Sequence, residues 1–289
     1  MNDAIVSREV HDDGAIVELR LARPPRNVLD GAALDALAAH AAAIASPAHA
    51  RARAILLTAA GPNFSVGASV PEHARAHAAG MLAKFHGAIR ALVACDLPIV
   101  AAVRGHCLGG GLELALLATR LVVHPQAQLG QPEIRLGALA PVASVLLPRR
   151  IGQARAEDLL CSGRSVDAAA ALALGLADAV VDDPDAEAAA WIRAALVPHS
   201  ASSLRLATRA ARAGLRPMLH TLVFLPVVRG YRRPFFRLDP AEQAAFIAAA
   251  ADDRRAFVRQ AVTTLKTLAC LAYFDDPAVR ARFPGAGAP

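Results

Sequence analysis

Short runs of Val, Leu and Ile recur along this chain with alanine-rich helical stretches between them, and this alternation limits the possible folds more than any other feature. Residues 15–21 (AIVELRL) alternate in the manner of a strand, and 31–45 is rich in Ala and Leu and helical. Residues 52–61 read as a short buried strand stopped by Gly61-Pro62, 76–95 as a long amphipathic helix, and 97–105 as a strand ending at glycine. After LGGGLELALLAT, which turns into a helix, RLVVH reads as a strand and AQLGQPEIRLG as a strand and loop. Further helices are expected over 152–161, from a Ser165 cap to about Gly175, and over 186–195 and 203–213, with a short strand at ADAVVDD. Strands alternating with helices imply βαβ units and an α/β fold with a largely parallel sheet.

The chain has 289 residues, room for one large domain with an extension. Its net charge of +6 is unevenly placed: residues 216–289 carry eleven Lys/Arg against six Asp/Glu, and the rest is nearly balanced. A boundary is therefore expected after 214, with 215–289 a basic, all-helical tail. Within the tail, Asp239, Pro240 and Glu242 have capping-box chemistry, and apolar residues from Phe257 to Ala272 form a helical stripe.

Mean hydropathy is +0.36, yet no apolar stretch reaches the ~18 uncharged residues of a spanning helix. The N-terminus has acids where a secretion signal would be basic, so a cytoplasmic protein without a membrane span is expected. Cys95, Cys107, Cys161 and Cys270 lack zinc-site spacing and are expected to be small buried thiols, with no metal. The tail arginines carry no nucleic-acid-binding motif and read as solvated helix faces.

Three stretches could carry chemistry. In GHCLGGGLELAL, residues 105–116, glycines allow close backbone approach and a helix starts just after them, so its free N–H groups could face an anion. Taken alone, the glycines could equally serve tight packing, with Glu113 merely an acid in a first helical turn. In LGQPEIRLG, residues 129–137, Glu133 stands in an apolar context that would raise its pKa. It could also be a surface acid paired with Arg135. In NFSVGASV, residues 63–70, Gly67-Ala68 could present a backbone N–H or form an ordinary turn.

Over about residues 5–214, these stretches together resemble the crotonase (enoyl-CoA hydratase/isomerase) superfamily in order and spacing. The resemblance implies a spiral of ββα units that binds an acyl-CoA, with no cofactor beyond the coenzyme A of the substrate. It implies an oxyanion hole from the N–H groups of Ala68 and Gly110, and catalytic acids at Glu113 and Glu133. RPPRNVLD resembles the loop beside the CoA, which brings in Arg23 and Arg26, together with Gly67 and Gly109. Two acids favour hydration over isomerisation, and the family's trimers or hexamers are expected if the tail permits. Ser69 and APVAS (140–144) depart from the common hydratases and resemble the subgroup that hydrates cyclic dienoyl-CoA thioesters. The alternatives are an open-chain hydratase or isomerase, or a non-catalytic acyl-CoA- or partner-binding protein. The tail resembles the helical leader of some bacterial glucose–methanol–choline-type flavin oxidoreductases, but it lacks a dinucleotide-binding glycine fingerprint and implies no flavin.

Overall fold

The computed structural model describes residues 4–69, 71 and 78–213, and 239, 241, 242 and 245 of the tail. The chain divides into two compact units, Met1–Thr208 and Arg209–Pro289. The expected helical tail lies outside the described residues except at those four positions. There the N–H of Asp239 donates to Glu242 Oε2 and the N–H of Glu242 to Asp239 Oδ1, both at 2.9 Å, so the expected capping box forms.

In the first unit, β1 (Val6–His11) and β2 (Ile16–Leu21) form an antiparallel hairpin. Helix α1 (Gly31–Ala45), capped by the Asp30 side chain, leads to β3 (Ala54–Ala59). Helix α2 (Ala78–Ala94) precedes β4 (Ile99–Val103), β5 (His106–Leu108) and the short α3 (Gly110–Ala115). Strands β6 (Arg120–Val123) and β7 (Gln128–Gly130) lead through a 3-10 turn at Pro132–Leu136 to α4 (Pro141–Ile151) and α5 (Gln153–Ser162). β8 (Ser165–Asp167), α6 (Ala168–Leu174), β9 (Ala179–Val180), α7 (Pro184–Ala195) and the start of α8 (Ala201–Ala213) follow.

The main sheet has the order β1-β2-β3-β4-β6-β9 and is parallel from β2 onward. β3, β4 and β6 are nearly continuous apolar runs because both faces are covered, as in parallel sheets generally. The two-residue period sorts their side chains. Leu19, Ile55, Leu57, Ala101 and Val123 join the large core with α1 and α2. Ile16, Leu56, Val100 and Val122 pack with Ala188 and Ile192 of α7. A second sheet, β5-β7-β8, carries the site: β5 and β7 run parallel, and the chain turns into functional loops at their C-terminal ends.

Several expectations are corrected. Residues 165–167 form a strand, and Asp167 rather than Ser165 caps α6 by accepting from Ala170 N at 2.8 Å. Gly175 does end that helix, in the left-handed conformation. Cys95 and Cys107 are buried, but Cys161 is exposed on α5. α3 is only six residues long, so an anion beside it would be held by individual N–H groups more than by a macrodipole. Among the described residues, no helix is long and apolar enough to cross a membrane.

Candidate active site

β5 and β7 deliver the two acids. The register places Leu108 beside Gly130, and the N–H of Gly109 donates to the Gly130 carbonyl at 2.9 Å. One chain then enters α3, where Glu113 is 4% exposed, and the other passes through Gln131 and Pro132 to Glu133. Gly109 is the close-approach residue. Its φ is +53°, and a methyl group there would lie 2.6 Å from Glu133 Oε1, so the carboxylate lies against bare backbone.

Glu113 is anchored from the other side. Its Oε1 accepts from the N–H groups of Val142 at 2.8 Å and Ala143 at 2.9 Å, in the first turn of α4. The helix N-terminus in this site therefore faces the chain's own carboxyl, and the APVAS segment builds it. Burial and repulsion from Glu133 nevertheless push Glu113 from 4.5 up to about 8. Burial pushes Glu133 up to about 7. Between about 7 and about 8 the pair passes through a state that shares one proton, in which one carboxyl can serve as acid and the other as base. Arg135, which could have paired with Glu133, is exposed and lies against Gly163 instead.

The Gly67-Ala68 segment runs beside the glycine turn. Gly67 has φ +97°, and a methyl group on it would lie 3.3 Å from Gly110 N; a methyl on Gly110 would lie 3.4 Å from Ala68 N. Two backbone N–H groups are thus brought to one place, and among the described residues neither has an acceptor. The Phe85 ring, buried on α2, closes against Gly110: its Cε2 would be 3.1 Å from the same methyl.

Of the expected CoA-side arginines, Arg23 forms an ion pair with Asp30 in its own loop, whereas Arg26 is exposed and uses its carbonyl to hold Val66 N at 3.0 Å. Three residues of the site were missed by sequence reasoning. Asn27 is 2% exposed; its side chain donates to the carbonyls of Ala60 and Asn63 and accepts from Arg23 N. Ser65 is fully buried beneath Gly67. Gln131, 1% exposed, donates to both Glu133 oxygens, at 2.8 and 3.1 Å, when its amide nitrogen is turned toward them. No sequence signal other than their position beside the motifs marks these three. Among the described residues, Glu9, His11 and Glu18 are the one group placed to share a metal ion. Glu18 already accepts from Thr58, Arg20 and His11.

The sequence model of the enoyl-CoA hydratase/isomerase family matches residues 11–224. The chain belongs to that family. It is 50% identical over 211 residues to a cyclohexa-1,5-dienecarbonyl-CoA hydratase of Thauera aromatica, covering 72% of this chain and 80% of the relative. An enoyl-CoA hydratase of Bacillus anthracis superposes with a TM-score of 0.69 at 28% identity, over 75% of this chain and 86% of that one. Pseudomonas aeruginosa DspI does so at 0.68 and 27% identity, over 88% and 98%. The protein is a hydro-lyase of the enoyl-CoA hydratase type, and the expected crotonase-like α/β fold is the one observed.

Proposed function

We propose that this enoyl-CoA hydratase adds water to a cyclic conjugated dienoyl-CoA, converting cyclohexa-1,5-diene-1-carbonyl-CoA to 6-hydroxycyclohex-1-ene-1-carbonyl-CoA. The observation that carries hydration is the carboxyl pair, Glu113 and Glu133, raised to about 8 and about 7. The ring substrate is supported by the identity to the Thauera aromatica hydratase.

In this reading the N–H groups of Ala68 and Gly110 donate to the thioester oxygen. Water attacks C2, β to the thioester, and gives up a proton. The electron pair spreads through C1 to the thioester oxygen and through the C5–C6 double bond to C5. Protonation at C5 leaves the C1–C6 double bond conjugated with the thioester, which is the named product after renumbering. The donors stabilise the charge only as it develops, and losing one typically costs ~3 kcal/mol of barrier.

Glu113 positions the water and takes its proton, while Glu133 delivers the proton to carbon. The order of the two pKa values favours the reverse, but by about one unit, or ~1.4 kcal/mol. Glu113's fixed seat on two backbone N–H groups, which leaves Oε2 for water, supports this assignment. The Gln131 amide offers a donor at one end and an acceptor at the other, so it can face Glu133 in either protonation state. In the same reading the exposed Arg26, with Gly67 and Gly109, contacts the CoA part of the substrate, and Arg23 shapes the loop through Asp30.

The test compares kcat/KM for the cyclic dienoyl-CoA with that for crotonyl-CoA, and locates the deuterium when the reaction is run in D2O. The proposal expects preference for the ring and label at C5. Hydration of crotonyl-CoA without turnover of the ring would overturn the substrate assignment.

A further inference from the structure

The two proposed thioester donors lie on different segments, and one side chain touches the support of both. Ser65 is fully buried. Its Oγ accepts from the N–H of Gly67 at 3.1 Å, one residue before Ala68, and donates to the carbonyl of Asn27 at 2.7 Å. Its Cβ would be 2.7 Å from a methyl on Gly111, one residue after Gly110. Its own backbone is paired to β5: the N–H donates to the His106 carbonyl at 3.0 Å, and the carbonyl accepts from Leu108 at 2.9 Å. Ser65 thus sits against the Ala68 segment and the Gly110 segment at once.

Asn27 extends this contact to the loop 23–30. Its carbonyl takes the Ser65 hydroxyl, and its side chain ties residues 23, 60 and 63 together. Two backbone bonds run in parallel, from Val66 N to the Arg26 carbonyl and from Leu29 N to the Gly67 carbonyl, both at 3.0 Å. The loop beside the CoA and the Ala68 donor therefore form one hydrogen-bonded piece.

We propose that Ser65 is a positioning residue that sets the relative placement of the Ala68 and Gly110 N–H groups, and that Asn27 couples this placement to the CoA-side loop. This rests on those two N–H groups acting on the thioester. Without the hydroxyl, the Gly67 N–H loses its acceptor and the Asn27 carbonyl its donor, both in a buried setting. The segment then relaxes by a few tenths of an ångström to find partners, and misplaced donors lose rate steeply, about a hundredfold for a 1 Å error.

The experiment measures kcat, KM and the thioester carbonyl stretching frequency of bound product in wild type, Ser65→Ala and Ile44→Val. Ile44 is fully buried on α1, outside the site, so Ile44→Val reports the effect of lost core stability alone. The expectation for Ser65→Ala is a kcat lowered by about tenfold or more with KM within about twofold, and a carbonyl frequency moved toward its value in water. Ser65→Ala with wild-type kcat and carbonyl frequency would overturn the proposal, as would a loss no larger than that of Ile44→Val. If the wild-type enzyme hydrates no thioester, the functional reading itself fails, which the wild-type arm shows before any variant is made.

Discussion

Replacing Glu113 with Gln should make the protein more stable in alkali while removing most of its activity. The carboxyl is held at about 8 against an ordinary 4.5, by burial first and Glu133 second. Between those values the unfolded chain releases a proton that the folded chain keeps, so this group's contribution to stability falls as pH rises from about 4.5 and levels off above about 8. At ~1.4 kcal/mol per unit, the ionised carboxylate in its buried seat costs on the order of 3–5 kcal/mol. Gln keeps an oxygen for the N–H groups of Val142 and Ala143 and never ionises. Urea unfolding of both proteins at pH 5, 7 and 9 should show a small difference at the lowest pH and one of a few kcal/mol in favour of Gln at the highest. A difference that does not change with pH, or a variant weaker than wild type at pH 9, would refute a buried, raised carboxyl. The same substitution should lower kcat by about a hundredfold or more, because proton transfer by a positioned group contributes ~10²–10⁴.

Gly109→Ala should lose most of its kcat, because its methyl group must displace Glu133 Oε1 from 2.6 Å at a backbone with positive φ; steady-state kinetics on a variant with wild-type circular dichroism checks this. The pH profile of kcat/KM should be a narrow bell, falling below about 7 as the pair gains a second proton and above about 8 as it loses the last one. Gly87→Ala on α2, where a Cβ meets nothing within 4 Å, should raise stability by roughly 0.5–1 kcal/mol in denaturant titrations. Asp167→Ala removes the cap of α6 and should cost about 1 kcal/mol by the same measurement.

Much of the fold was legible because the burial pattern is written in the chain. The runs at 54–59, 99–103 and 120–123 are nearly all apolar, as covered parallel strands are, and α1 starts where Asp30 can cap it. α4 was not anticipated: prolines at 141 and 148 argue against a helix locally, although Pro141 suits the first turn, and the packing of Ala143, Leu147 and Ile151 in the core outweighs Pro148. β1 was missed because only Val6 is buried and the strand lies at the sheet's charged edge. β5 was missed because three residues beside a glycine run give no period. Glu113 and Glu133 stood out by spacing and resemblance, but the groups that hold them did not. Val142 and Ala143 donate through backbone, which has no sequence signature, and Asn27 and Ser65 act on partners brought near by the fold.

The most direct measurement is mass spectrometry of the product formed from cyclohexa-1,5-diene-1-carbonyl-CoA in oxygen-18 water, with wild type, Glu113→Gln and Glu133→Gln in parallel. Wild type should yield a hydroxylated ring heavier by one labelled water, and each variant should form it far more slowly while remaining folded. An unlabelled or unchanged thioester with folded wild-type protein, or either variant matching wild type, would contradict a carboxyl pair that hydrates the conjugated ring.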